Sequence, residues 1–242
     1  MRIPRFYLIE PLQVGQSLTL PAETFRHAIQ VLRLAVGEPL ILFNGKGGEY
    51  RARLSAVSKR SASVQIEEFN PGASESPLAM TLVQAIIKPD KMDFALQKAV
   101  ELGVMAIQPL ITQHSVVRVA AEKTDKKMQH WQGVIIAACE QAGRTRLPHL
   151  HAPLTLTDYL AQANSGTRLI LAPGAFPRLQ QLPALVAPLA VLVGPEGGFT
   201  APEVTQCLQA GVKAVSLGER ILRAETASIA MLAILQQRYG DL

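Results

Sequence analysis

The sequence predicts an α/β protein in two parts, a small β-barrel over residues 1–70 and a mostly parallel sheet flanked by helices over residues 78–242. Three observations carry this. Residues 1–70 are short β-rich runs broken by glycine turns, and residues 78–242 alternate apolar strand-like runs with segments of helical period. Between them "NPGASESP", Asn70 to Pro77, has the composition of a linker, placed at residues 71–77.

In the first part "RFYLI", "SLTL", "PLILF", "YRARLSAV" and "ASVQIEEF" are the expected strands, rich in residues that suit a pleated, half-buried surface. Asn44-Gly45 and Gly47-Gly48 mark tight turns. "PAETFRHAIQVLRL" breaks the pattern: Phe25, Ala28, Ile29 and Leu32 recur at helical spacing behind a proline, which predicts one helix.

The second part opens on "LAMTLVQAII", a buried-type strand. "KMDFALQKAVELGV" follows as a helix, with Met92, Ala95, Leu96, Ala99 and Val100 on one face and Gly103 at its end. "MAIQPLIT" is the next strand, and "KKMQHWQGVIIAACEQAGR" the next helix, with Trp131 expected in the core. "TRLILAP", "LAVLVGP" and "KAVSLG" add three strands, with helices between and after them. The last helix is apolar nearly all round from Thr226 to Leu235, so it must be buried in the core or against a second subunit.

With 242 residues and 48% of them hydrophobic, the chain can bury a sizeable core, which excludes wholesale disorder. The longest apolar stretch, Ala184 to Val193, is interrupted by Pro188 and falls short of the ~20 residues a membrane helix needs. "MRIPRFYLIE" carries charges and a proline where a signal peptide keeps an apolar run, so the expectation is a soluble, cytoplasmic chain without a membrane partner. Cys139 and Cys207 sit far apart in helix-like segments, and no Cys-x-x-Cys or His-x-x-x-His spacing accompanies them; core packing and no metal are expected. His27, His130, His149 and His151 have no constellation around them. The net charge is +5, and residues 1–70 hold nine Lys/Arg against six Asp/Glu. Such clusters suit a polyanion such as RNA, and equally an ordinary solvated surface.

Three strand ends carry turn chemistry: Ala172-Pro173-Gly174, Gly194-Pro195-Glu196-Gly197-Gly198 and Gly218-Glu219-Arg220. In an open parallel sheet, ligands collect at the carboxyl ends of strands, so these three are expected to converge on one pocket. The glycine turn in "LVGPEGGFTAPE" is neither a P-loop nor Gly-x-Gly-x-x-Gly. Glu196 disfavours a phosphate, whereas an uncharged heterocycle such as adenine can pair with main-chain groups that glycines leave open. A plain strand-to-helix connection is the alternative.

"VGPEGGFTAPE" with "VSLGERILRAETA" closely resembles the signatures of the RsmE family within the SPOUT methyltransferases. "MDFALQKAVELGV", "IQPLITQHSVV" and "AACEQAGRTRLP" resemble it in the same order, as do "RIPRFYL" and "FNGKGGEYRARL", so the likeness spans essentially the whole chain. The resemblance implies a PUA-like β-barrel followed by a SPOUT-type α/β-knot methyltransferase domain with a C-terminal trefoil knot, working as a homodimer. It implies S-adenosylmethionine as methyl donor and, as acceptor, N3 of one uridine (position 1498) in 16S ribosomal RNA of the small ribosomal subunit. Carried over by position, the donor pocket comprises Leu171, Ala172 and Pro173; Val193, Gly194, Pro195, Glu196, Gly197 and Gly198; and Leu217, Gly218, Ile221, Leu222 and Arg223, with Thr226 nearby. Two positions depart from the family pattern. Ala224 stands where threonine is usual, and His114 replaces a common arginine; neither is expected to touch the glycine turn.

N3 of neutral uracil carries a proton and is a poor nucleophile, so something must remove that proton or stabilise the anion across the flanking carbonyls. Arg223, beside the expected donor and permanently charged, is the first candidate for the anion; an RNA phosphate or a partner carboxylate is its alternative ligand. Arg144 and Glu140 are candidates for positioning and proton removal, or else a structural ion pair four residues apart on one helix. Glu225 is read as matching the dipole of the last helix. Arg2, Arg5, Arg26 and Arg33 are the candidates for the RNA backbone. Two rival readings stay open: an RNA-binding protein that kept the fold without the chemistry, and a ribose 2′-hydroxyl acceptor.

Overall fold

A computed structural model describes residues 3–72, 75–115, 121–163, 165–174 and 176–242; Arg2 and residues 73–74 of the 71–77 linker lie outside it. The chain divides into two compact units, Met1–Glu75 with Cys139–Leu147, and Ser76–Ala138 with Pro148–Leu242.

The first unit is a five-stranded sheet built from β1 (Arg5–Tyr7), β2 (Ser17–Thr19), β3 (Pro39–Phe43), β4 (Glu49–Val57) and β5 (Ala62–Asn70), in the order β1-β3-β4-β5-β2. β1 pairs with β3 in parallel and the remaining pairs are antiparallel. Side chains alternate across a strand, so Leu40 and Leu42, Ala52 and Leu54, and Val64 and Ile66 enter one core with Phe6, Leu8 and Leu20. The predicted single helix is split. α1 (Ala22–Phe25) passes into a π-helical turn, Arg26–Val31, closed by Leu32 N–H donating to the His27 carbonyl at 3.0 Å. Phe25 and Ala28 stay buried, but the wider i→i+5 turn carries Leu32 off the buried face, leaving it 44% exposed.

The second unit contains β6 (Met80–Ala85), β7 (Ala106–Ile111), β8 (His149–Leu150), β9 (Leu154–Thr155), β10 (Thr167–Leu171), β11 (Leu189–Val193) and β12 (Lys213–Val215). Among the described residues they form one parallel sheet, ordered β12-β10-β11-β6-β7-β8, with β9 also on β7. Its helices are α2 (Pro89–Glu101), α3 (Ala121–Ala142), α4 (Leu156–Ala161), α5 (Ala201–Gln209) and α6 (Ala224–Tyr239), α3 ending in residues that belong to the first unit. β11 lies between β10 and β6 and is buried throughout, as a central parallel strand covered on both faces must be. Ala190 and Leu192 share a core with Val83, Ile170, Cys207 and Val212.

α2 begins at Pro89, where a missing N–H costs nothing, and all five residues of its expected apolar face are buried. It packs against α6, which also touches β11. Met231, Leu232 and Leu235 of α6 are fully buried, whereas Ile229, Ala230, Ala233 and Ile234 are only half-buried. The all-round apolar helix is thus covered on one side by its own chain. Ser228 Oγ donates to Gln84 Oε1 at 2.5 Å and ties α6 to β6 through a buried polar pair. Trp131 is buried, and so are both cysteines; burial pushes the thiols up, Cys139 to about 12 and Cys207 to about 11, so both remain protonated packing groups. Among the described residues no helix is long and apolar enough to cross a membrane, and no three His, Cys, Asp or Glu cluster as metal ligands.

Candidate active site

β12, β10 and β11 are neighbours running in one direction, with Leu171 level with Val215 and Ile170 with Leu192. The three turns singled out in the sequence therefore leave adjacent carboxyl ends of one sheet. Ala172 N–H donates to the Val215 carbonyl at 3.2 Å, and Ser216 N–H to the Pro177 carbonyl at 3.0 Å, so the segments after β10 and β12 lie side by side. The segments that begin at Leu171, Val193 and Leu217 thus leave the same end of the second unit's sheet, with Thr226 exposed on the first turn of α6.

The glycine turn closes by Gly198 N–H donating to the Pro195 carbonyl at 2.8 Å. At Gly194 a Cβ would stand 3.0 Å from the Phe199 nitrogen and 3.2 Å from the Gly198 carbonyl carbon, so the turn folds back on a residue without a side chain. Past the turn, α5 starts at a capping box: Thr200 Oγ1 accepts from Glu203 N–H, and the Glu203 carboxylate accepts from Thr200 N–H. Glu196 leaves its own turn. Its Oε1 accepts from Lys88 N–H at 3.1 Å, placing the carboxylate at the N-terminus of α2, where the helix dipole favours a negative charge. The charge that argues against a phosphate ligand is committed to the scaffold.

His114 corrects the sequence reading. It was expected to stay clear of the glycine turn, yet its Nδ1 lies 3.0 Å from the Gly197 carbonyl and 3.2 Å from that of Gly198. Both partners only accept, so Nδ1 carries a proton and donates. Gln113 N–H also donates to Glu203 Oε1 at 2.9 Å, docking this loop on the start of α5. Contacts across 83 and more residues leave no trace in local spacing, and sequence reasoning had no signal for them.

The loop after β12 presents apolar and cationic groups. Ile221 is 87% exposed and Leu222 half-buried. Arg223 is the N-cap residue of α6, extended at φ −63° and ψ 152°; its side chain is exposed and has no partner among the described residues. Ala224 is buried, and its carbonyl lies 3.0 Å from Ser228 Oγ, whose proton goes to Gln84. Glu225 is buried in the first turn of α6 with Lys91 Nζ 3.6 Å away, in keeping with its dipole-matched reading.

Arg144 and Glu140 lie in the first unit with partners of their own, and they do not pair with each other as the helical spacing suggests. α3 stops at Ala142, so Arg144 leaves the helix and its Nη2 reaches Glu75 Oε2 at 2.8 Å. Removing one partner of a buried ion pair strands the other, so Arg144→Ala is expected to cost about 3 kcal/mol in chemical denaturation. Glu140 Oε1 accepts from Tyr7 N–H at 2.9 Å. Burial raises its carboxyl pKa above the ordinary value, opposed by that hydrogen bond. A raised carboxyl pKa favours folding while the group is protonated, and the benefit is lost as pH rises through the raised value. Glu140→Gln keeps an acceptor that cannot ionise. It is expected to raise the melting temperature by a few degrees at about pH 8 and to lose that gain at about pH 4.

Of the four arginines expected on RNA, Arg5 is internal. It forms an ion pair with Glu49, donates to the Arg144 carbonyl at 3.2 Å and stacks 5.4 Å from the Phe43 ring centre. Arg26 and Arg33 are exposed, and Arg2 lies outside the described residues. A cavity of about 170 Å³ near the amino ends of β6, β10 and β11 is lined by Gln108, Tyr159 and Arg168. The Arg168 guanidinium is occupied there by the Ala210 and Leu160 carbonyls, so that end of the sheet is structural.

Comparison with known proteins gives the class first: an RNA methyltransferase. The family described as an RNA methyltransferase domain matches residues 74–236, and one described as an RNA methyltransferase PUA domain matches residues 20–67. A ribosomal RNA small subunit methyltransferase E from Buchnera aphidicola (subsp. Schizaphis graminum) is 32% identical over 242 residues, covering 100% of this chain and 98% of the relative. A solved ribosomal RNA small subunit methyltransferase E from Neisseria gonorrhoeae, bound to S-adenosyl methionine, is 41% identical with a TM-score of 0.93, and both chains are covered in full. A putative methyltransferase from Legionella pneumophila, in complex with the same compound, is 40% identical with a TM-score of 0.96, again over 100% of both chains. The chain belongs to the ribosomal RNA small subunit methyltransferase E family.

Proposed function

We propose that this chain transfers a methyl group from S-adenosylmethionine to N3 of one uridine in 16S ribosomal RNA, as a cytoplasmic homodimer acting on the small ribosomal subunit. The observation that carries the reading is the row of three turns on β12, β10 and β11, beside an arginine with no partner among the described residues. The 1–70 barrel, the 71–77 linker, the 78–242 domain and its trefoil knot belong to the same proposal. The half-buried side of α6 supports the homodimer, since Ile229, Ala230, Ala233 and Ile234 lack full cover within one chain.

The turns fit such a donor. A Cβ on Gly174, Gly198 or Gly218 would meet nothing within 4 Å, so each turn faces open space. Main-chain groups of residues 193–198 and 217–222 offer neutral donors and acceptors for an adenine edge, and Ile221 and Leu222 an apolar surface for its face. When bound, S-adenosylmethionine supplies an electrophilic methyl carbon. The protein's part is to hold the uracil ring against it and to make N3 anionic. Arg223, fixed at the start of α6, stabilises the charge that spreads onto the uracil carbonyl oxygens as the N3 proton passes to solvent water. Arg26 and Arg33 track the phosphate backbone.

Mass spectrometry of small-subunit RNA from cells with and without this protein tests the reading. The 3-methyluridine signal is expected to disappear with the gene. An unchanged 3-methyluridine with a lost 2′-O-methyl nucleoside would transfer the activity to the ribose acceptor.

A further inference from the structure

We propose that a groove on the first unit, between the turn at residues 44–48, the end of β5 and the strand-like segment 145–147, seats one nucleotide of single-stranded RNA. Phe69 takes the base, while Lys46 and Arg146 take the phosphate. The proposal names a contact for the RNA of the preceding section and rests on that reading.

The groove has a volume of about 410 Å³ and lies wholly within the first unit. Its aromatic floor is prepared. Phe69 is 45% exposed, far more than packing requires, and its ring is backed by Tyr50 with centres 4.9 Å apart. Gly48, at φ +74°, abuts the edge of the same ring; a Cβ there would fall 2.4 Å from the ring carbons Cε2 and Cζ. The ring is therefore steadied by the tilted Tyr50 ring and by bare backbone at its Cε2–Cζ edge, and the surface it leaves exposed is a stacking platform for a base of any identity.

The opposite wall is basic. Lys46 and Arg146 face each other across an antiparallel bridge, reinforced by Gly47 N–H donating to the Thr145 carbonyl at 3.1 Å and Leu147 N–H to the Gly45 carbonyl at 3.3 Å. Both side chains are exposed and unpaired among the described residues. The acid on this wall, Glu75, does not neutralise them. Its Oε2 is held by the Arg144 guanidinium, and its Oε1 accepts from the Thr145 and Arg146 amides at 2.8 and 2.9 Å. Arg144 balances the Glu75 charge, and the groove keeps two cations that are unpaired among the described residues beside an exposed ring. That pairing of stacking surface and phosphate-seeking charge distinguishes a single-strand contact from a merely basic face.

The test uses the full chain and a fluorescent oligouridine of about ten nucleotides, within the range of single-strand site sizes, read by anisotropy across a salt series. Lys46→Ala with Arg146→Ala is expected to weaken binding by about tenfold or more and to flatten the log–log salt slope by about 0.7, one phosphate's worth. Phe69→Leu is expected to weaken it about fivefold or more with the slope unchanged. S-adenosylmethionine binding and melting temperature serve as a separate readout: both stay at wild-type values in these variants, and failure of the wild-type chain to bind the donor counts against the methyltransferase reading instead. RNA affinity within twofold of wild type in either variant, or no RNA binding by the wild-type chain, overturns the proposal. So does a loss confined to the charge variant with polyglutamate competing as well as RNA, which would assign the groove to an acidic protein.

Discussion

Arg223→Ala is expected to lower turnover by about 10²–10³-fold while leaving the dissociation constant for S-adenosylmethionine within about threefold of wild type. The size follows from the role. A cation aimed at charge that exists only as N3 loses its proton contributes to the transition state and little to the bound ground state. The geometry makes this separation possible. Arg223 is the extended N-cap of a helix whose next residues, Ala224, Glu225 and Ser228, are buried, so its backbone is fixed while its side chain is exposed and without a partner among the described residues. Arg223→Lys keeps the charge and loses the planar fork, and is expected to recover only part of the rate. Single-turnover kinetics on small ribosomal subunits, beside calorimetric donor titration, check both halves. Equal losses in rate and donor affinity would remove Arg223 from the reacting centre.

Gly194→Ala is expected to weaken donor binding by roughly ten- to a hundredfold, the equivalent of about 1–3 kcal/mol of overpacking. The atoms in the way are main chain: the Phe199 nitrogen at 3.0 Å and the Gly198 carbonyl carbon at 3.2 Å, with the Phe199 ring at 3.1 Å. A flexible side chain would swing aside, but here the turn itself must open, and with it the main-chain groups proposed to meet the adenine. Gly133→Ala is the control. That glycine sits in α3 with nothing within 4 Å of an added Cβ, so donor affinity should not change and stability should rise slightly. An unchanged dissociation constant in Gly194→Ala would show that the turn does not hold the donor.

What the sequence made legible was periodic. The alternation in β3, β4 and β5 and the 3.6-residue spacing of Met92, Ala95, Leu96, Ala99 and Val100 are local patterns, and the structure buries the residues those patterns select. The three strand-end turns were legible as turns because glycine and proline announce themselves; that they lie on adjacent strands follows from the order β12-β10-β11, which no spacing encodes. Long-range polar pairing stayed hidden for the same reason. His114 with Gly197, Glu196 with Lys88, Arg144 with Glu75 and Ser228 with Gln84 each join residues 69 to 144 positions apart. The helix of residues 22–31 was legible as helix, but its widening into a π turn was not, because one misplaced leucine is a weak signal against a strong 3.6-residue pattern.

A crystal structure of this chain grown with S-adenosylmethionine tests the central claim most directly. The account predicts the adenine against main-chain groups of residues 193–198 and 217–222, with the methyl carbon turned toward the side on which Arg223 stands. Donor density at another place on the sheet, or a turn at Gly194–Gly198 closed against protein with the compound absent at saturating concentration, would contradict it.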